Sequence, residues 1–198
     1  MTGIRLMMVM ITLALLQGCA TSAQPSSIDN VCDIFDEKRG WYSDARAAQR
    51  RWGTPVPVMM AMMYQESSFQ YSARPPRTKL LGFIPWRRAS SAHGYAQAKN
   101  EVWSEYRRDS GNPWASRRNF RDAIDFVGWY NSLSHQRNDI ALNDARNLYL
   151  AYHEGHGGFR RGSYNSKAWL IGVAGRVDER AKRFDEQLSR CRRRFRGG

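Results

Sequence analysis

Apolar and polar positions recur with a helical period along most of the chain. The segment from Trp41 to Trp52 is predicted to be a helix that Gly53 closes at its C-terminal end. A methionine-rich apolar segment then predicts a second helix, which Pro55 opens and Ser68 ends. The sequence contains no convincing run of strands, so the pattern predicts a single all-α domain. Further helices are predicted at about 98–108, 120–136, 142–154 and 166–192.

The segment from Gln70 to His93 breaks the helical pattern. It contains three prolines and a cluster of aromatic and basic side chains around Trp86. A loop of this length is usually functional or disordered. Aromatic rings interleaved with arginines favour a loop that faces a ligand, and the alternative is a tolerated surface insertion. The stretch at about 70–93 also leaves room for a small β excursion.

A single acid ends the methionine-rich helix. Glu66 lies on the same helical stripe as Met59, Met62 and Met63. A carboxylate on a buried face is either paired with a cation, as a structural acid, or has a raised pKa. A raised pKa would suit a general acid, because a protonated carboxyl can protonate the leaving oxygen of a glycosidic bond. We expect Glu66 to be partly buried, with a raised pKa and no direct arginine partner.

Charge narrows the possible partners. The formal net charge is +13 and the isoelectric point is near 10.2, and most of the excess is arginine. Such a charge favours nucleic acid, an anionic membrane surface or a carboxylate-bearing cell-wall polymer. On charge alone, nucleic acid ranks first.

The N-terminus changes that ranking. Arg5 precedes an uncharged apolar run from Leu6 to Leu16, which predicts a secretory signal at 1–18. Cys19 after Gln17 and Gly18 resembles the lipobox of bacterial lipoproteins, in which this cysteine is lipidated. The resemblance implies a lipid anchor in the periplasm at the outer membrane, a flexible tether at 19–30 and a folded domain at 31–198. The alternative is an ordinary signal peptide with an incidental cysteine. Export makes nucleic acid an improbable partner.

The two remaining cysteines lie at opposite ends of the predicted domain. Cys32 and Cys191 form an even pair once Cys19 is lipidated, and an oxidising compartment favours a disulfide between them. Cys191 falls on the inner seam of the last predicted helix. The alternative is two unrelated free thiols.

Three segments in order resemble the motifs of the soluble lytic transglycosylase family, which has a lysozyme-like fold. They are residues 65–69 around Glu66, residues 94–97 and residues 151–155, and the resemblance covers about 41–190. It implies that Glu66 is the acid and base, and it places substrate-binding residues at Ser67, Tyr95, Gln97, Tyr152 and His153. Tyr95 and Ala96 replace the usual Leu-Met, and His153 replaces the usual Asn, which puts the sugar-subsite preferences in doubt.

The resemblance implies cleavage of the bond between N-acetylmuramic acid and N-acetylglucosamine in peptidoglycan strands. The glutamate would protonate the glycosidic oxygen and then deprotonate the muramoyl 6-hydroxyl, which closes a 1,6-anhydro ring without a cofactor. The alternatives are a hydrolytic muramidase, a non-catalytic basic wall-binding lipoprotein, and a nucleic-acid binder if the chain stays in the cytoplasm. We expect a monomer.

Other candidate sites are weaker. His153 and His156 are three residues apart, whereas a zinc-binding helix places its histidines four apart, so no metal site is predicted. Glu154, near the end of its predicted helix, is expected to face solvent. The basic tail from Arg190 to Arg196 is expected to be solvated, and its functional alternative is contact with an anionic wall polymer or lipid head groups.

Overall fold

A computed structural model describes residues 23–80, 84–88 and 90–195, and for residues 78–80 and 84–88 it describes the backbone alone. The predicted signal peptide at 1–18 and the predicted lipidation site Cys19 lie outside the described residues. None of the helices in the described part of the chain is both long and apolar enough to cross a membrane.

The described residues form a mainly helical fold with one β-hairpin. The hairpin is antiparallel, with Arg77 opposite Arg88 and Leu80 opposite Ile84. The predicted all-α class and the small β excursion at 70–93 are therefore both confirmed. In chain order the elements are α1 (Val31–Glu37), α2 (Trp41–Trp52), α3 (Val56–Ser67), β1 (Arg77–Leu80), β2 (Ile84–Arg88), α4 (Asn100–Asp109), α5 (Phe120–Asn138), α6 (Ala145–Arg160) and α7 (Ala168–Cys191), with 3-10 turns at Ser163–Ser166 and Arg192–Phe195.

Helix α3 is the centre of the core. It packs against α7 and α5, with smaller contacts to α2 and α6. Its methionines and the alanine among them are fully buried, so the helix is covered on every side and not along one stripe as predicted. A helix that is apolar all round belongs inside a protein, which is the physical reason for this difference. The fully buried residues are Met59, Met60, Ala61, Met62 and Met63.

The first turn of α3 is capped by a neighbouring helix. The Gln49 side-chain oxygen accepts a hydrogen bond of 3.2 Å from the Val56 amide. Pro55 and Pro57 lie at the helix start, where a missing N–H costs little. Thr54 makes no capping bond, because its hydroxyl is buried without a partner among the described residues.

Helix α5 crosses α2 and α3 at a glycine. A Cβ on Gly128 would lie 2.9 Å from Trp52 Cδ1 and 3.3 Å from Met59 Sδ, so only a glycine permits this approach. Asp125 reinforces the crossing, since its carboxylate accepts bonds from Trp52 Nε1 at 2.8 Å and from the Tyr106 hydroxyl at 2.9 Å. These bonds tie α2, α4 and α5 together around an aromatic cluster.

A disulfide links the two ends of the domain. Cys32 in α1 is bonded to Cys191 at the end of α7, as the sequence led us to expect, across a separation of 159 residues. On the chain-entropy model a loop of this length stabilises the fold by about 5 kcal/mol. The basic tail beyond it is partly anchored: Arg194 pairs with Asp36 at 3.1 Å, and the Phe195 ring packs 5.8 Å from that of Phe35.

The segment before α1 is not a flexible tether along its whole length. Gln24 Nε2 donates to the Ser68 carbonyl at 2.7 Å, and the Ser26 amide and hydroxyl both donate to Glu37. Arg180 pairs with Asp29 at 3.0 Å. Residues 24–30, which we call the N-terminal strap, therefore run along the body of the domain. Small polar side chains predict a flexible tether. The sequence does not reveal the bonds to Ser68 and Arg180, because these partners are distant along the chain.

Gly94 adopts a conformation that other residues avoid. Its φ angle is +78°, and a Cβ there would lie 2.2 Å from the Arg117 carbonyl oxygen. This close approach lets the Tyr95 amide donate to the same carbonyl at 3.1 Å, while the Gly94 amide donates to Ala73 at 2.9 Å. The turn at 94–97 is thereby fixed between two loops.

We predict that Gly94→Ala destabilises the protein by about 2–4 kcal/mol, since it combines backbone strain with a clash against main chain. Gly175→Ala is the control, because nothing lies within 4 Å of its Cβ position and alanine favours the helix by about 0.5–1 kcal/mol. Urea unfolding of both variants would check this. Equal stabilities would contradict the role given to Gly94.

Candidate active site

Glu66 lies in the last turn of α3, where the buried helix meets α6. The side chain is largely buried, and the Tyr149 hydroxyl donates a hydrogen bond to the carboxyl. Burial raises the pKa of Glu66 to about 7, and the bond from Tyr149 opposes this only in part. The expected burial and raised pKa are confirmed. Among the described side chains, no cation forms an ion pair with Glu66.

Tyr152 joins the second and third motifs. Its hydroxyl donates a short hydrogen bond to the Ala96 carbonyl, and its ring packs edge-on against Tyr130 at 5.0 Å. Burial and the nearby Glu66 both raise the pKa of Tyr152 well above the usual range, so the hydroxyl stays neutral. Tyr152 lies next to the acid, as expected, and its hydroxyl also holds the turn at 94–97 in place.

Gln97 holds the same turn from the other side. Its backbone is left-handed, with φ of +47°, and its side-chain amide donates to Ala73 at 2.9 Å and to Gly94 at 2.8 Å. The nitrogen is therefore engaged within the protein. The rest of the side chain lines a cavity between α4, α5 and α6.

Two residues expected to bind substrate lie elsewhere. Tyr95 is only 2% exposed and packs edge-on against Trp41 and Phe120 in the core. Ser67 is also buried, and its hydroxyl donates back to the Met63 carbonyl at 3.3 Å. Neither side chain lines the cavity beside Gln97. A role of these two residues in substrate binding therefore stays a prediction, because position within a motif does not reveal which way a side chain points.

The cavity beside Gln97 has a volume of about 190 Å³ and brings together side chains from the second and third motifs. His153 lies at its edge, with 38% of its side chain exposed. The Trp169 ring meets the His153 ring edge-on at 5.2 Å and is 59% exposed. Further lining residues are Val102, Phe126, Tyr130 and Tyr152.

Sequence reasoning missed the roles of Tyr149 and Trp169. Tyr149 is buried, and its hydroxyl bonds to the carboxyl of Glu66. The available signal was its place three residues before Tyr152 on one helical stripe. For Trp169 the signal was its position directly before Leu170: because Leu170 faces the core, the neighbouring Trp169 ring points outward.

Glu154 does not face solvent as expected. Its side chain is only 4% exposed, and its oxygens accept bonds from Lys167 at 2.7 and 2.9 Å and from the Ser163 hydroxyl. The bonds from Lys167 and Ser163 lower the pKa of Glu154 to about 2. It is therefore an ionised structural acid and cannot donate a proton near neutral pH.

Helix α6 is kinked at Gly155, and His156 follows the kink. The helix continues to Arg160, past the predicted end at 154, with a kink at Gly155, where φ is +74° and ψ is 157°. His156 stacks on Tyr130 at 4.4 Å, and its Nε2 lies 3.1 Å from the Ser134 hydroxyl. Within the described residues, no group of histidine, cysteine or acidic side chains is arranged to hold a metal ion.

Glu66 should make the stability of the protein depend on pH. Between pH 4.5 and about 7 the folded chain keeps a proton that the unfolded chain has lost, so stability falls as pH rises through this interval. The linkage relation gives a loss of about 3 kcal/mol. Glu66→Gln cannot ionise, so we predict that it exceeds the wild type in stability at about pH 8 but not at about pH 4. Urea unfolding at both pH values measures this, and an equal difference at both would contradict it.

Comparison with known proteins adds an independent observation. A comparison with curated proteins finds no match. The family model described as the transglycosylase SLT domain matches residues 7–191, which includes Glu66, the turn at 94–97 and Tyr152. This match spans nearly all of the 198 residues, and the chain belongs to the family of transglycosylase SLT domains.

Proposed function

We propose that this protein is a peptidoglycan lytic transglycosylase in which Glu66 acts alone as acid and base. The main observation behind this proposal is that Glu66 is largely buried, has a pKa raised to about 7 and has no cationic partner among the described side chains. Such a carboxyl keeps its proton near neutral pH and can also give it up. Membership of the SLT domain family supports an activity on peptidoglycan.

The proposed reaction uses the same carboxyl twice. Glu66 first protonates the oxygen of the bond between N-acetylmuramic acid and N-acetylglucosamine, and the bond from that oxygen to C1 breaks. The resulting carboxylate then takes the proton of the muramoyl 6-hydroxyl, whose oxygen bonds to C1 and closes the 1,6-anhydro ring. The proton balance is zero, and no water is consumed.

A single carboxylate suffices for this route. Retaining and inverting glycosidases need a second carboxylate as nucleophile or base. Glu154, the nearest acid along the third motif, is held ionised by Lys167 and is not available for proton transfer. The acetamido group of the substrate would stabilise the cationic centre instead.

Tyr149 orients the acid in this proposal. Its hydroxyl bonds to the Glu66 carboxyl, and burial with the adjacent carboxyl raises the pKa of Tyr149 so that it remains a donor. A fixed hydrogen bond holds the carboxyl in one orientation. Trp169, exposed beside His153, offers an aromatic face of the kind that packs on sugar rings.

We predict that Glu66→Gln lowers the release of anhydro-muropeptides from purified sacculi by about 100-fold or more, the usual scale for loss of a general acid. Glu101→Gln, an exposed acid on α4, is the matched control and should keep wild-type activity. Mass spectrometry of the products is the measurement. Products with free reducing ends and no anhydro sugar would indicate a hydrolytic muramidase. A wild type that binds sacculi without cleaving them would indicate a wall-binding protein.

We propose further that the chain is exported and carries a lipid on Cys19, in the periplasm at the outer membrane. The supporting observations are the apolar run before Cys19 and the disulfide, which needs an oxidising compartment. Cys19→Ser should abolish incorporation of a labelled fatty acid and move the protein from the membrane fraction to the soluble one. An unlabelled wild type in the soluble fraction would contradict the anchor.

A further inference from the structure

Helix α7 carries a row of arginines on the face that borders α3. Arg176, Arg180 and Arg183 are spaced by four and three residues, which places them on one side of the helix. Val177, after the first arginine, and Phe184, after the last, are buried in the core. Trp169 lies seven residues before Arg176, so the same face leads from the exposed tryptophan to the arginines.

These arginines line a groove between α7 and α3, which we call the α7 groove. It has a volume of about 210 Å³, and its opposite wall is formed by Tyr64 and Gln65 of α3. Gln65 directly precedes Glu66, so the groove wall includes the residue next to the acid in the chain. The other lining residues are Ala61, Val177 and Glu179.

Two of the three arginines are available to a ligand. Arg180 is engaged, since it pairs with Asp29 at 3.0 Å and lies 3.3 Å above the Tyr64 ring. Arg176 and Arg183 are exposed and form no ion pair with any described side chain. Glu179 is the acid of the groove lining, so the groove carries one negative charge beside its three arginines.

Arg176 lies near a hydroxyl that is bonded to the reacting carboxyl. It acts electrostatically on the Tyr149 hydroxyl, which is bonded to Glu66. A guanidinium in this place can hold an anion next to the cleft while the carboxyl of Glu66 stays protonated. The planar guanidinium binds carboxylates through two parallel hydrogen bonds, which gives it a geometric preference for such groups.

We propose that the α7 groove binds carboxylates of the peptide stem carried by N-acetylmuramic acid, with Arg176 and Arg183 as the ligand-binding residues. This inference rests on the proposed function, since the muramoyl unit must lie at Glu66 for its peptide to reach the groove. The peptide stem is attached to the sugar whose bond is cleaved, and the groove wall includes Gln65, next to Glu66, and Arg176, which acts on the Tyr149 hydroxyl bonded to Glu66. The enzyme would then prefer strands that retain their peptides.

The test measures binding in a Glu66→Gln background, so that sacculi remain intact. Sedimentation compares bead-coupled sacculi that carry peptides with bead-coupled sacculi stripped of peptides by an amidase, which keep only the lactyl carboxylate on each muramoyl unit. The glycan strands are coupled to beads because stripping also removes the peptide cross-links that make a sacculus sediment. Arg176→Gln combined with Arg183→Gln should weaken binding to the peptide-bearing sacculi by about tenfold and to the stripped sacculi by less than about twofold. The matched control combines Arg190→Gln with Arg193→Gln, which removes the same charge outside the groove.

Three results would overturn the inference: no loss of binding in the groove variant, an equal loss on both kinds of sacculi, or an equal loss in the control variant. The last result would indicate that net charge alone attracts the wall. Trp169→Ala provides a contrasting pattern, because a residue that contacts sugar should weaken binding to both kinds of sacculi. Cleavage by the protein with Glu66 intact is assayed separately, so a failure of the proposed function is distinguishable from a failure of the groove.

Discussion

The raised pKa of Glu66 depends on desolvation, because the carboxyl lies at the end of a helix that is buried on all sides before its last turn. Four methionines of α3 are fully buried, and the helix reaches water only in its last turn. A carboxyl in that turn pays a cost for ionising and therefore keeps its proton to higher pH than an exposed acid. Methionine suits such a helix because its unbranched side chain fills irregular gaps between neighbouring helices. The core thus sets the chemistry of its own terminus.

The turn at 94–97 connects the segments that surround the cavity beside Gln97. It receives the Tyr152 hydroxyl at Ala96, contacts the loop at Ala73 through Gln97, and is held close to main chain at Gly94. Three segments that are far apart in sequence are therefore fixed relative to each other by bonds that mostly involve backbone carbonyls. Side-chain identity matters less at such positions than backbone geometry, which explains how a sequence can depart from the usual Leu-Met at Tyr95 and Ala96 and keep the turn.

Much of the fold could be predicted from the periodicity of apolar residues, but less of the candidate active site could. The helices of the core, the lone acid and its raised pKa were predictable, because an apolar run with one carboxylate has few physical outcomes. The burial of Tyr95 was not predictable, because a turn has no periodicity that reveals it. Glu154 was misplaced because its partner Lys167 lies beyond a turn, 13 residues away. The short helix α1 and the N-terminal strap were missed because their contacts are to α3 and α7, distant in sequence.

The N-terminal strap also limits how far the domain can stand from whatever holds its N-terminus. Gln24 is bonded to Ser68, two residues beyond Glu66, and only four residues lie between it and Cys19. The five Cα–Cα steps from Cys19 to Gln24 span at most about 18 Å. A group attached at Cys19 would therefore stay close to the end of α3. If the domain were anchored there, Glu66 would remain near the anchor in every orientation of the domain.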